Sequence, residues 1–160
     1  MATIFASEHV QCPAAAARAL LEPAIHALSG DDGRLLLRVP SEFYGVLMGP
    51  AIEQTVTVSL SRPPGAPGAP DDLHVTWRSA DHIPVPAFHG TIGIDEAPYG
   101  CAIVLAGAYA PPGGIAGELF DGTIGFWIAR ATVRELLVRL ADSIELSFLH
   151  RPAADGLVAR

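Results

Sequence analysis

The sequence predicts an α+β domain in which a curved antiparallel sheet of six to seven strands wraps around one long C-terminal helix. Three observations predict it. Period-two alternation of apolar and polar residues recurs through the middle of the chain. Tight turns or Pro/Gly-rich stretches separate these segments, so successive strands fold back on one another. The longest helical periodicity comes last, after the strands. With 160 residues, the whole chain (1–160) is expected to be one domain.

Residues 3–11 read as the first strand. Cys12-Pro13 then leads into residues 14–21, where Pro suits the first helical position and the alanines propagate the helix. Pro23 has no N–H to donate and is expected to break it, leaving a second short turn over 24–28 closed by Ser29-Gly30. Two short helices are therefore expected after the first strand. Residues 34–39 and 42–48 are short strand candidates on either side of Pro40. In 52–61, Ile52, Gln54, Val56, Val58 and Leu60 share one face, and Glu53, Thr55, Thr57 and Ser59 share the other.

The segment from Arg62 to Pro70 holds four prolines and two glycines, which forbids a ladder and marks an exposed hairpin tip. Leu73, Val75 and Trp77 then alternate with polar neighbours, and Phe88, Gly90, Ile92 and Ile94 alternate with His89, Thr91, Gly93 and Asp95. Ala97-Pro98-Tyr99-Gly100 is a tight turn. Cys101, Ile103, Leu105, Gly107 and Tyr109 form one face of the last strand, and small apolar residues form the other. The final helix starts just after Gly114 or at Asp121 acting as an N-cap, and Arg151-Pro152 ends it. Its main stripe includes Phe126, Ala129, Val133, Leu136, Leu137, Leu140 and Ile144. A second apolar stripe (Phe120, Ile124, Trp127, Ile128, Ala131) gives way to Arg134, Glu135, Asp142 and Glu145, so only the first half is to be covered on both sides. Loops and the short helices supply that cover, or a second subunit does. In the second case Phe120, Ile124, Trp127 and Ile128 form a homodimer seam.

Composition excludes several function classes. Half the residues are hydrophobic and 17% are charged, with a mean hydropathy of +0.35, which argues against disorder. The net charge is −7, which disfavours nucleic acid and anionic membrane surfaces as partners. Every cation is Arg, and the lack of Lys removes Schiff-base chemistry and a Walker-type phosphate loop. Cys12 and Cys101 lie far apart in the chain and in no metal-ligand spacing; a single disulfide is open but not implied, and a reduced compartment is the simpler reading. The N-terminal residues lack a basic region followed by a long apolar run, and no membrane-spanning run occurs. A cytoplasmic location is the expectation.

The layout resembles the SRPBCC superfamily, the START-like or helix-grip fold shared by the birch-pollen allergen and polyketide cyclases. The resemblance rests on Val10-Gln11-Cys12-Pro13, on Phe88-His89-Gly90, on the run from Leu105 to Gly114, and on the closing helix from Ala129 to Ala141. It covers nearly the whole chain as a pattern. It implies a seven-stranded sheet gripping the last helix, with a hydrophobic cavity between them. It does not imply one activity, since members bind lipids, hormones or polyketides and only some are catalysts.

The leading expectation is that a small hydrophobic molecule binds there, against Trp77, Phe88, Ile92, Leu105, Tyr109, Phe126, Ala129 and Val133. Ordinary core packing accounts equally well for each aromatic taken singly. The alternative is an aromatase or cyclase-type enzyme using the same cavity. His82, beside Asp81 in a loop, and Tyr109, at a strand end, are its weak candidates for proton transfer. An exposed turn explains Asp81-His82 as well. His89 lies opposite in phase to Phe88 and faces solvent. No Gly-x-Ser-x-Gly elbow is present, and Cys101, with no flanking cation, reads as a buried structural thiol. No cofactor and no metal are expected.

Overall fold

The computed structural model describes residues 2–39, 52–62, 72–80, 87–110 and 124–151. In chain order these form β1 (Ala2–Val10), α1 (Ala14–Ser29), β2 (Arg34–Val39), β3 (Ile52–Ser61), β4 (Leu73–Ser79), β5 (Ala87–Ala97), β6 (Gly100–Ala110) and α2 (Ile124–Leu149). The strands make one sheet in the order β1-β6-β5-β4-β3-β2, and every pair is antiparallel. The strand candidate at 42–48, the hairpin tip at 63–70 and the helix starts proposed at Gly114 and Asp121 lie outside the described residues.

The alternation read from the sequence is the burial pattern of the sheet. Leu73, Val75 and Trp77 are buried on β4, as are Phe88, Ile92 and Ile94 on β5. Cys101, Ile103, Leu105 and Tyr109 are buried on β6, while His74, Thr76 and His89 between them are exposed. Because the side-chain period is two, one register places all these apolar groups on a single concave face.

α1 departs from the sequence expectation. It is one helix of 16 residues that runs straight through Pro23, not two short ones. Pro23 removes one backbone hydrogen bond, a cost of up to ~3 kcal/mol in a helix interior. The apolar face, however, continues across it: Ala14, Ala17 and Leu21 precede Pro23, Ala24 and Ile25 follow it, and all five are buried. The Pro23 ring itself is exposed. Burying a side chain the size of Leu or Ile contributes about 1.5–3 kcal/mol, so packing on both sides outweighs the missing bond. The first turn is closed by Ala17 N–H donating to the Pro13 carbonyl at 3.0 Å. At the other end the Ser29 hydroxyl donates to the Ile25 carbonyl at 2.9 Å, satisfying a buried polar group.

α2 is 26 residues long, about 39 Å at 1.5 Å per residue. Val133, Leu136, Leu137, Leu140 and Ile144 are at most 4% exposed, and Arg134 and Asp142 face water. The helix lies closest to β1 and β2, the two edges of the sheet, and to α1; it stands off from the central strands β4 and β5. A sheet whose two edges approach one helix while its middle stays away is curled around that helix. Two polar ties mark this closure. The Arg139 guanidinium donates to the Leu36 carbonyl on β2, and the Gln11 N–H at the end of β1 donates to Glu145 Oε1 at 2.7 Å.

Pro23→Ala restores a helix bond at an exposed position and raises unfolding free energy by about 1–3 kcal/mol; an unchanged urea midpoint would show that the helix absorbs the ring without loss. Tyr99, at the β5–β6 turn, is 98% exposed and has φ 61°, a left-handed conformation costing about 1–2 kcal/mol for a side-chain-bearing residue. Tyr99→Gly therefore raises the thermal midpoint, read by calorimetry, and a drop would count against strain there.

Candidate functional site

The concave face is built in rows by the strand register. One row runs Val58, Trp77, Phe88, Tyr109 across β3, β4, β5 and β6. The next runs Leu60, Val75, Gly90, Gly107 and, on β1, Ile4. A third holds Leu73, Ile92 and Leu105. Trp77 and Phe88 stack with ring centroids 4.1 Å apart and planes at 15°, a geometry that adds about 0.5–1.5 kcal/mol beyond area burial.

The glycine pair in the second row has a definite job. A Cβ on Gly90 would fall against the Ala106 carbonyl and 2.8 Å from Phe88 Cζ, and one on Gly107 would meet the same ring atom and the His89 carbonyl. The Phe88 ring therefore lies over two bare backbones facing each other across the β5–β6 ladder. That leaves it flat on the sheet and parallel to Trp77.

Of the sequence-predicted lining residues, Trp77, Phe88, Ile92, Leu105 and Tyr109 lie together on this face. Ala129 and Val133 lie on α2, and all seven are at most 5% exposed. They belong to one core cluster that carries no charge. Tyr109 occupies the penultimate position of β6 and is 1% exposed. The side chains of Phe126, Ile124, Trp127 and Ile128 lie outside the described residues, as do Asp81, His82 and Phe120. His89 is exposed as its phase predicts. Among the described residues no cluster of His, Cys, Asp and Glu is arranged to hold a metal ion, and no helix is long and apolar enough to cross a membrane.

The structure adds two clefts, both beside α1, that the sequence did not reveal. The larger, about 930 Å³, lies between α1 and the ends of β3, β4 and β5, and its wall is charged: Arg18, Glu22, His26, Arg62, Asp72 and Asp95. Within it Arg62 pairs with Glu22 at 2.8 Å, a half-exposed ion pair of small worth. Arg18 donates to the Ile94 carbonyl at 3.3 Å. The smaller cleft, about 360 Å³, opens between Ile25, Ser29 and Gly30 of the α1 end and Val58 and Leu60 of β3. Beyond Gly33, whose carbonyl accepts the Val58 N–H at 2.8 Å, β2 no longer pairs with β3. Val58 and Leu60 are half-buried there, although both belong to the concave face. The missed signal was the shortness of β2 relative to β3, readable only once their register is known.

Similar chains of known structure include the Zhui aromatase/cyclase from Streptomyces sp. R1128 (TM-score 0.54, 13% identity, 98% of this chain and 99% of that one). They also include Ara h 8.0201 (TM-score 0.52, 10% identity, 92% and 97%) and TTHA0849 from Thermus thermophilus (TM-score 0.52, 15% identity, 91% and 99%). The chain has the helix-grip fold. Its curled antiparallel sheet and closing helix match these structures over nearly their full length, at identities that carry the fold alone. No family model matches the sequence, and no curated protein matches it.

The glycine pair sets the expected outcome for the site. Gly107→Ala drives a methyl against the Phe88 ring and against the His89 carbonyl and Gly90 backbone of β5, displacing both at a cost of about 1–3 kcal/mol or more. The near-UV circular dichroism of the Trp77–Phe88 stack weakens with it, and an unchanged spectrum would refute the contact.

Proposed function

We propose that this helix-grip domain binds a small hydrophobic molecule between the central strands and the first half of α2. The observation that carries the reading is the spacing of α2. It closes on the sheet at β1 and β2 and stands off from β4 and β5, whose inward groups are Trp77, Val75, Phe88 and Ile92. The first half of α2 contributes the small buried groups Ala129 and Val133 to the same core cluster. An uncharged wall of this kind suits an apolar ligand, because a charged ligand would lose its hydration with nothing to replace it. The smaller cleft beside Val58 and Leu60 supports a route of entry, since both residues border it and continue the rows that hold Trp77 and Val75. The fold shared with an aromatase/cyclase supports a planar, polyketide-like or lipid-like ligand class.

A catalytic reading of the same cavity rests on Tyr109, the buried phenol that ends the aromatic row. A buried phenol of this kind orients a ligand carbonyl or passes a proton to it.

The test uses purified protein, solvent extraction with mass spectrometry, and titration with a neutral lipophilic fluorescent dye. Wild type takes up the dye or yields an apolar compound. Ala129→Phe, which adds a ring to the buried face of α2, weakens dye binding by about tenfold or more while leaving far-UV circular dichroism unchanged. Absence of both dye uptake and extracted compound would overturn the reading.

A further inference from the structure

We propose that Cys12 and Cys101 form a reversible disulfide that staples the junction of β1 and α1 to β6. They are the sequence's two cysteines, and the fold brings them together. Cys101 faces Val10 across the β1–β6 ladder, and its Sγ lies 3.9 Å from the Val10 carbonyl. Cys12 follows Val10 by one intervening residue. Val10 and Cys12 are buried while Gln11 between them is exposed, so Cys12 turns to the same side as its ladder neighbour. The two thiols are free, 3% and 0% exposed, and each is close enough to perturb the other's ionisation.

The surroundings favour one product. Packing and the ladder hold both sulfurs in place, and with no third cysteine in the chain no internal rearrangement competes. The junction is anchored a second time by the Gln11 N–H bonded to Glu145 of α2, so closing the bond ties together β1, α1, β6 and α2. The oxidant is a low-molecular-weight disulfide. One cysteine, as thiolate, attacks a sulfur of that disulfide, forming a mixed disulfide and releasing one small thiol. The second cysteine loses its proton, attacks the protein sulfur of the mixed disulfide and releases the second small thiol. The two protein thiols are thereby oxidised by two electrons and the small disulfide is reduced to two thiols.

The same burial sets the rate. Desolvation pushes the Cys101 thiol up to about 11, with Cys12 beside it adding to the shift. Desolvation also raises Cys12, and the Cys101 contact partly opposes it. Little thiolate is present at neutral pH and neither sulfur is open to solvent, so exchange waits on local opening, is slow at pH 7 and rises with pH.

The test incubates folded, full-length protein with excess oxidised glutathione at pH 7 and pH 8.5, then counts thiols after denaturation. Both thiols are expected to disappear, faster at pH 8.5, with the monomer mass falling by about 2 Da. Peptide mapping links Cys12 to Cys101, dithiothreitol returns both thiols, and the oxidised form melts about 5–15 °C higher. Cys12→Ser loses the redox-dependent shift in melting. Where that variant does not fold, the wild-type mass and peptide map decide alone. Two thiols persisting through prolonged exposure at pH 8.5, a stable glutathione adduct, or a cross-linked dimer would each overturn the proposal.

Discussion

The structure depends on one constraint: a single helix has to satisfy both edges of a six-stranded sheet. An antiparallel sheet with one apolar face needs a cover, and its unpaired edges need protection. α2 does both. Its buried stripe from Val133 to Ile144 packs against the concave side. Arg139 reaches the Leu36 carbonyl on β2, and Glu145 takes the Gln11 N–H at the end of β1. Both ties come from the second half of the helix. A curve closed at its two edges is deepest in the middle, which is where β4 and β5 carry the stacked Trp77 and Phe88.

The two ends of this grip differ in chemistry. On the central strands the inward face is aromatic and uncharged. Beside α1 the larger cleft is lined by cations and carboxylates, while the neighbouring β1–α1 junction buries two thiols. α1 separates these environments. Its buried face packs on α2 and on the sheet, and its exposed face supplies Arg18, Glu22 and His26 to the cleft. The continuity of this helix through Pro23 is what lets one element wall both the charged cleft and the smaller opening near Val58 and Leu60.

Much of the candidate wall was legible because strand side chains alternate. Once 73–79, 87–97 and 100–110 are read as strands, the inward set Trp77, Phe88, Ile92, Leu105 and Tyr109 is settled by parity alone. Ala129 and Val133 were legible for the equivalent reason on a helix. The packing of Phe88 over Gly90 and Gly107 was not, because it arises from a cross-strand pairing that no local window contains. The charged cleft was hidden likewise, since Arg18, Arg62, Asp72 and Asp95 come from four separate elements or their ends.

The sequence by itself determined the element order, the inward face of each strand and the buried stripe of α2, because these follow from periodicities of two and 3.6 residues written locally along the chain. Only the tertiary structure decided that α1 passes intact through Pro23, that β2 ends short of Val58 and Leu60, and that Cys12 meets Cys101. Each of these depends on energy gained between segments far apart in sequence. The apolar groups of α1 offset a missing hydrogen bond only when another surface is there to bury them, and two thiols become neighbours only when β1 and β6 share a ladder.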